Sequence, residues 1–255
     1  IAGKNVIWYN NSGNLSKLDL SKAWIVEGGE AYYHNKDNYY YSSNNQLGCY
    51  AFEGCFLTSI NIPLSVTSIG DNALSWTSLE NINIPSSVTS IGRCAFGYCY
   101  HLKSVNIPSS VTEIKECTFC DCRSLEKINI PSSVTEIGKA AFEDCRSLES
   151  IKIPSNVTKI GYSAFHDCKS LRAIYVYAEK VPILPYNSRA FEGCDSKKCK
   201  VYVPIGTYDA YSRSQFGYFE NIVEFDATSF RNTIATAENQ DTTHYVVNDK
   251  EEHTH

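Results

Sequence analysis

The residues of this chain best equipped for chemistry are its cysteines. Eleven occur, and thiolates attack electrophiles, exchange with disulfides and chelate soft metals. Cys117, Cys120 and Cys122 stand close together, which invites a zinc reading. No second cysteine pair and no histidine pair follows at ligand spacing, so no metal site is expected. The histidines, His34, His101, His166, His244, His253 and His255, are scattered. His166 and Cys168 are candidates for a nucleophilic pair, but Glu143 and Cys145, or Gly97 and Cys99, occupy the matching places upstream. A hydrolase elbow G-x-S-x-G, a zinc motif H-E-x-x-H and a glycine-rich phosphate loop are all missing. The carboxylates Glu113, Glu126, Glu136 and Glu149 recur at regular intervals, as a solvated surface would have them. No catalytic residue and no cofactor are expected, and the chain does not read as an enzyme.

Bulk properties narrow the partners. At 255 residues the chain can bury a substantial core. Its 23 basic and 28 acidic residues give a net charge of -5 without a basic stripe, so nucleic acid is not an expected partner. No apolar run reaches the length of about 18 residues that a transmembrane helix requires. IAGKNVIWYN at the start lacks the charged and apolar regions of a secretory signal, and the absence of Met fits a mature, exported form.

The elements that would position any of these residues come from one line written repeatedly. INIPSSVTSIG, VNIPSSVTEIK, INIPSSVTEIG and IKIPSNVTKIG follow one another, and Pro63, Pro85, Pro108, Pro131 and Pro154 stand 22, 23, 23 and 23 residues apart. Before each proline runs Leu-x-x-Ile-x-Ile, as in Leu125, Ile128 and Ile130. Alternating branched aliphatics predict a strand, which the proline closes because it has no N–H to donate. Ser-Ser supplies a turn, Val-Thr-x-Ile a second extended piece, and Ala-Phe a helical turn. No such coil can bury its apolar side alone, so the coils must stack.

The full pattern, Leu-x-x-Ile-x-Ile-Pro-Ser-Ser-Val-Thr-x-Ile-Gly-x-x-Ala-Phe-x-x-Cys at residues 125 to 145, resembles the BspA-like, Treponema-type leucine-rich repeats. The match covers roughly residues 48 to 204. Residues 198 to 225 are similar to the strand, helix and aromatic cap that closes such arrays in surface proteins of anaerobic gut and oral bacteria. Leu74 and Thr77 depart from the usual Phe and Cys, and Lys115 from Gly. The expected fold is an α/β leucine-rich-repeat solenoid, β-rich and curved. Short parallel strands line the concave face, short extended pieces and helical turns the other side, and both ends are capped. The resemblance also implies an extracellular or cell-surface location and attachment to host proteins, matrix or other cells, since some members are adhesins.

The expected organisation is an N-terminal cap with a Tyr-rich hairpin over 1–47, repeats over 48–204, a C-terminal cap over 205–228, and a polar tail or linker over 229–255. Tyr32, Tyr33, Tyr39, Tyr40 and Tyr41 flank HNKDN and either cover the end of the core or form an aromatic binding loop. Tyr208, Tyr211, Phe216, Phe219, Ile222 and Val223 should seal the other end. On the repeat, Cys55, Cys99, Cys122, Cys145, Cys168 and Cys194 share one column, and Cys94 and Cys117 another. Column mates one strand spacing apart are near enough to bridge, so reduced core thiols and disulfides both remain open.

With no chemistry in view, the outward face of the strands becomes the candidate site. Asn61, Asn83, Asn106 and Asn129 form one outward column, either a self-satisfied amide ladder or an array for a glycan or extended peptide. Towards the C-terminus Lys127, Lys152, Tyr175, Tyr177, Lys200 and Tyr202 bring together cationic and aromatic residues of the kind that anchor interfaces. The expected partner is a protein or glycan bound by a monomer. A structural spacer displaying another domain is the competing reading.

Overall fold

The computed structural model describes residues 16–22, 25, 28–35 and 38–228, with 28–35 and 38–42 described by backbone alone. Each coil places two short strands and one turn around a shared core. The first ladder comprises Lys17–Asp19, Ser59–Asn61, Asn81–Asn83, Ser104–Asn106, Lys127–Asn129, Ser150–Ile153, Ala173–Val176, Lys200–Pro204 and Asn221–Phe225. These strands lie side by side in chain order, and their paired members are parallel. The register sets like on like: Ile82 opposite Val105, Val105 opposite Ile128, Ile151 opposite Ile174. Proline ends most of the strands as expected, and its carbonyl accepts the N–H of the buried valine in the following turn, as in Val88 to Pro85 and Val134 to Pro131, both 3.0 Å.

The second ladder has Gln46–Leu47, Ser68–Ile69 and Ser90–Ile91 in one parallel sheet and Glu113–Ile114, Glu136–Ile137 and Lys159–Ile160 in another. The interruption falls where Lys115 replaces glycine. Gly92 and Gly138 each donate to the preceding coil, at 2.8 and 2.7 Å, whereas the Lys115 N–H makes no such bond. The reason is steric, because a Cβ at Gly92 would stand 2.4 Å from the Gly70 carbonyl carbon, and one at Gly161 would stand 2.5 Å from the Lys139 nitrogen. Gly161→Ala should therefore push two coils apart, break the Gly161 to Ile137 bond and cost about 1–3 kcal/mol. Thermal unfolding of the variant checks this, and an unchanged midpoint would refute so close an approach.

The third side differs from the sequence expectation. The Ala-Phe segments form turns rather than helical turns, and among the described residues helix is confined to the C-terminal part, at Tyr208–Ser212, the 3-10 helix Gln215–Tyr218 and residues 227–228. Two residues per coil, four apart, adopt the left-handed conformation: Cys94 and Tyr98, Cys117 and Asp121, Ala140 and Asp144, Ser163 and Asp167. Such residues cost about 1–2 kcal/mol each when they are not glycine. What offsets the strain is a third set of bonds between coils: Cys94 to Glu116, Phe96 to Thr118 and Tyr98 to Cys120, at 3.0, 3.0 and 2.7 Å. A helical turn would direct those N–H groups back into its own coil.

The core is a set of columns. Leu79, Leu102, Leu125, Leu148 and Leu171 are fully buried, and Phe96, Phe119, Phe142, Phe165 and Phe191 stack with centroids 5.3 to 5.7 Å apart. At the start, Leu18 lies opposite Ile60, so the first coil spans the expected long insertion. Within it Gly28–Asn35 and Asn38–Ser42 pair antiparallel, with Tyr33 opposite Tyr40, as a hairpin should. The hairpin's tyrosine side chains, residues 36 and 37 and the 229–255 tail lie outside the described residues. At the far end Tyr211, Phe216 and Phe219 are buried, while Tyr208 and Val223 are exposed.

Candidate recognition surface

Strand alternation sends every second side chain of the first ladder outward. Asn61, Asn83, Asn106 and Asn129 are exposed, as are Lys127, Lys152 and Lys200. The neighbouring column holds a bond from the Ser104 hydroxyl to Asn81 Oδ1 at 3.0 Å. No hydrogen bond joins the amides of Asn83, Asn106 and Asn129 among the described residues, so they face solvent rather than one another.

The character of this face changes at its C-terminal end. Lys152 stands opposite Tyr175, Tyr175 opposite Tyr202, and Tyr202 opposite Val223. The Tyr175 and Tyr202 rings stack at 4.5 Å with an interplanar angle of 8°, and Phe225 meets both edge-on at 6.1 and 6.3 Å. Both tyrosines are half-buried. Lys200 stands one residue before Val201 on the same strand, opposite Ala173, and Lys127 opposite Ser104 lies further along the face.

Tyr177 requires correction. It has the outward parity of Tyr175, and its N–H still follows the ladder to Ile153 at 3.0 Å, but only 4 % of it is exposed. The Phe225 ring meets it edge-on at 5.4 Å and covers it. Tyr177 therefore supports the patch from beneath. Val223, expected to seal the end, takes an outer place on the face, and Phe225 joins the cluster. The register of the last strand against Lys200–Pro204 was the signal needed to find them, and short repeats alone do not supply it.

A second aromatic group went unnoticed in the sequence. Trp76, half exposed, stacks on Tyr98 at 4.4 Å and meets Tyr100 edge-on at 5.6 Å. The Arg123 guanidinium sits 4.7 Å over the Tyr100 ring. Trp76 and Tyr98 each lie two residues after the Leu or Phe of their coil, and Tyr100 and Arg123 each lie four after. Aligning those two columns would have revealed the cluster.

The structure divides the cysteines into two kinds. Cys99, Cys122, Cys145, Cys168 and Cys194 are buried, and each thiol donates to the carbonyl of the Leu or Phe in the preceding coil at 3.1 to 3.3 Å. Burial pushes Cys99 up to about 11 and Cys194 up to about 12. These are reduced, inert core thiols. Thr77 fits their column because its hydroxyl donates to the Leu74 carbonyl at 2.8 Å. The trio Cys117, Cys120 and Cys122 is split, since Cys122 points into this core column and the other two point away. His166 is likewise separated from Cys168, whose thiol faces the Phe142 carbonyl; His166 Nδ1 instead lies 3.6 Å from Glu143 and 3.7 Å from Asp167. Among the described residues no group of three or more Cys, His, Asp or Glu is arranged to hold a metal, and no helix is long and apolar enough to cross a membrane.

The BspA type leucine-rich repeat region matches six times, over residues 7–77, 45–172 and 136–238. The chain belongs to this family. No curated protein sequence matches it. Among solved structures, a leucine-rich repeat protein from Eubacterium ventriosum is 24% identical with a TM-score of 0.54, over 72% of this chain and 43% of that one. One from Bacteroides ovatus is 26% identical with a TM-score of 0.44, over 69% and 51%. A leucine rich cell surface protein from Faecalibacterium prausnitzii is 20% identical with a TM-score of 0.31, over 86% and 62%. The chain thus spans roughly half the length of these proteins, and the first likeness bears on the fold alone.

Proposed function

We propose that this BspA-type chain is a non-catalytic recognition module of an exported or cell-surface protein, binding a host protein, matrix component or glycan through the outer face of its first ladder. The observation that carries the reading is the half-buried Tyr175–Tyr202 stack, flanked by exposed Lys152 and Lys200 on a rigid parallel sheet. Stacked tyrosines offer apolar area with little rotamer entropy left to lose, which is what an interface anchor needs. Lys127 extends the cationic border, and the exposed amides of Asn61, Asn83, Asn106 and Asn129 provide polar contacts along the rest of the face. In this reading Tyr211, Phe216 and Phe219 close the C-terminal end of the array and the module acts as a monomer. The long stretch of small Asn and Ser side chains before Lys152 also suits a spacer, and the same test separates the two readings.

A Tyr175→Ala, Tyr202→Ala double variant is expected to lose at least about thirtyfold in affinity for whichever immobilised matrix protein, mucin or glycan the native chain binds, the size of a hot-spot loss. Asn83→Ala on the same face should change binding far less. Saturable binding that survives the double variant moves the site elsewhere. A folded chain that binds nothing in the panel supports the spacer.

A further inference from the structure

Outside the core column a second set of sulfurs meets on the turn side of the solenoid. Cys94 and Cys117 occupy equivalent places one coil apart and are partly exposed, and Cys120 lies three residues on, 3 % exposed. The three side chains converge beside Gly97, close enough for their thiols to interact. Room for this comes from Gly97. A Cβ there would stand 3.2 Å from Cys120 Sγ and 3.4 Å from Cys94 Cβ, whereas the same column elsewhere carries Glu53, Ser75, Glu143, His166 and Glu192. The backbone bond from Cys94 to Glu116, 3.0 Å, sets Cys94 and Cys117 about one strand spacing apart, some 4.8 Å, inside the Cα separation of disulfides.

The electrostatics separate the three roles. Interaction with Cys117 and then Cys120 holds the Cys94 thiol well below the ordinary range, against burial and the facing carboxylates Glu116 and Asp71. Interaction with Cys117 and Cys94 drives Cys120 far upward. For Cys117 the interaction with Cys120 pulls down, but that with Cys94, burial and the Cys94 charge outweigh it, while Lys139 is the cation that faces it. Cys94 is thus the accessible thiolate and Cys117 the accessible thiol beside it.

We propose that Cys94, Cys117 and Cys120 form a thiol–disulfide exchange site, in which Cys94 takes a small-molecule disulfide, Cys117 resolves it and Cys120 stays reduced. The Cys94 thiolate attacks one sulfur of RSSR, the S–S bond breaks and RS⁻ leaves, giving a mixed disulfide on Cys94. Cys117 then gives up its proton and attacks Cys94 Sγ, expelling the second RS⁻. The Cys94 thiolate and Cys117 thiol are oxidised to one disulfide and RSSR is reduced to two RS⁻, one of which takes the proton given up by Cys117 and the other a proton from water. The product staples two neighbouring coils. Cys120, nearly inaccessible and strongly held as a thiol, serves to stabilise the Cys94 thiolate.

The test treats the full chain with oxidised glutathione, quenches in acid and maps peptides by mass spectrometry. A Cys94–Cys117 linked peptide is expected, Cys117→Ser should stop at a glutathione adduct on Cys94, and Cys94→Ser should take up none. At about pH 6, iodoacetamide should alkylate Cys94 at least about tenfold faster than half-exposed Cys55, whose thiol is raised by burial. Equal alkylation of Cys94 and Cys55 overturns the proposal, as does an adduct on the native chain that never closes or a bond that uses Cys120. The native-chain map and the alkylation rates need no variant, so a substitution that failed to fold would not leave the question open.

Discussion

Phe142→Ala is expected to cost about 3–5 kcal/mol and to change how the chain unfolds. Phe142 is fully buried in the middle of the stacked phenylalanine column, between Phe119 at 5.6 Å and Phe165 at 5.3 Å. Removing its ring takes a layer from a column in which each member touches its neighbours above and below, so both interfaces weaken together. In a stacked array, stability is approximately a sum of coil terms and nearest-neighbour terms, and weakening two adjacent interfaces isolates the halves from each other. Denaturant unfolding followed by circular dichroism should show a lower midpoint and a broader or split transition. Native-state hydrogen exchange should find the amides of Phe119 and Phe142, which donate to Ala141 and Ala164 at 2.9 and 2.8 Å, opening well before those near Val201. A variant that keeps one sharp transition at the native midpoint would show that the column does not transmit stability between coils.

The columns were legible in the sequence because a solenoid converts period into proximity: residues 23 apart become neighbours, and a repeated line names its own contacts. Leu125, Ile128, Ile130, Val134 and Phe142 needed only alignment on proline. The outward Asn and Lys positions followed from strand parity. Three features did not follow, each for a physical reason. The Ala-Phe segment has a composition a helix tolerates, and only the competition from coil-to-coil hydrogen bonds, with Cys94 and Tyr98 held at positive φ, decides against one. Tyr177 has outward parity but is covered by Phe225, which lies beyond the repeat where no period predicts register. The cysteine spacing showed columns but not which side of the turn each thiol takes: with Cys117 and Asp121 at positive φ, Phe119 and Cys122 enter the core column, whereas Cys120 lies beside Gly97. The candidate face was thus legible as columns, while its anchoring cluster depended on a final strand with no copy elsewhere in the chain.

Phe216→Ala should remove a ring of the same kind and of similar local cost, about 3–5 kcal/mol, yet produce a different failure. Phe216 is fully buried and lies 5.0 Å from Phe191, the last ring of the column, with Phe219 beside it at 5.2 Å from the same ring. The segment after Pro204 also meets the polar needs of the final coil with side chains where another coil would have used its backbone. Tyr211 Oη donates to the Ala178 carbonyl at 2.6 Å, Gln215 Nε2 to Pro185 at 2.6 Å, Tyr218 Oη to Cys194 at 2.9 Å and Asn221 Nδ2 to Lys197 at 2.6 Å. Loosening Phe216 frees these groups together and bares Phe191 and the edge of Lys200–Pro204, which is a template for pairing with another chain. The expected outcome is fraying from one end: amides after Cys194 exchange faster, those near Phe119 keep their protection, and light scattering detects concentration-dependent association. Tyr211→Phe, which removes a single hydroxyl bond and no ring, should cost about 1–3 kcal/mol and add no association to that of the native chain. Association in both variants, or in neither, would mean that the 205–228 segment does not close the array through its apolar contacts with Phe191.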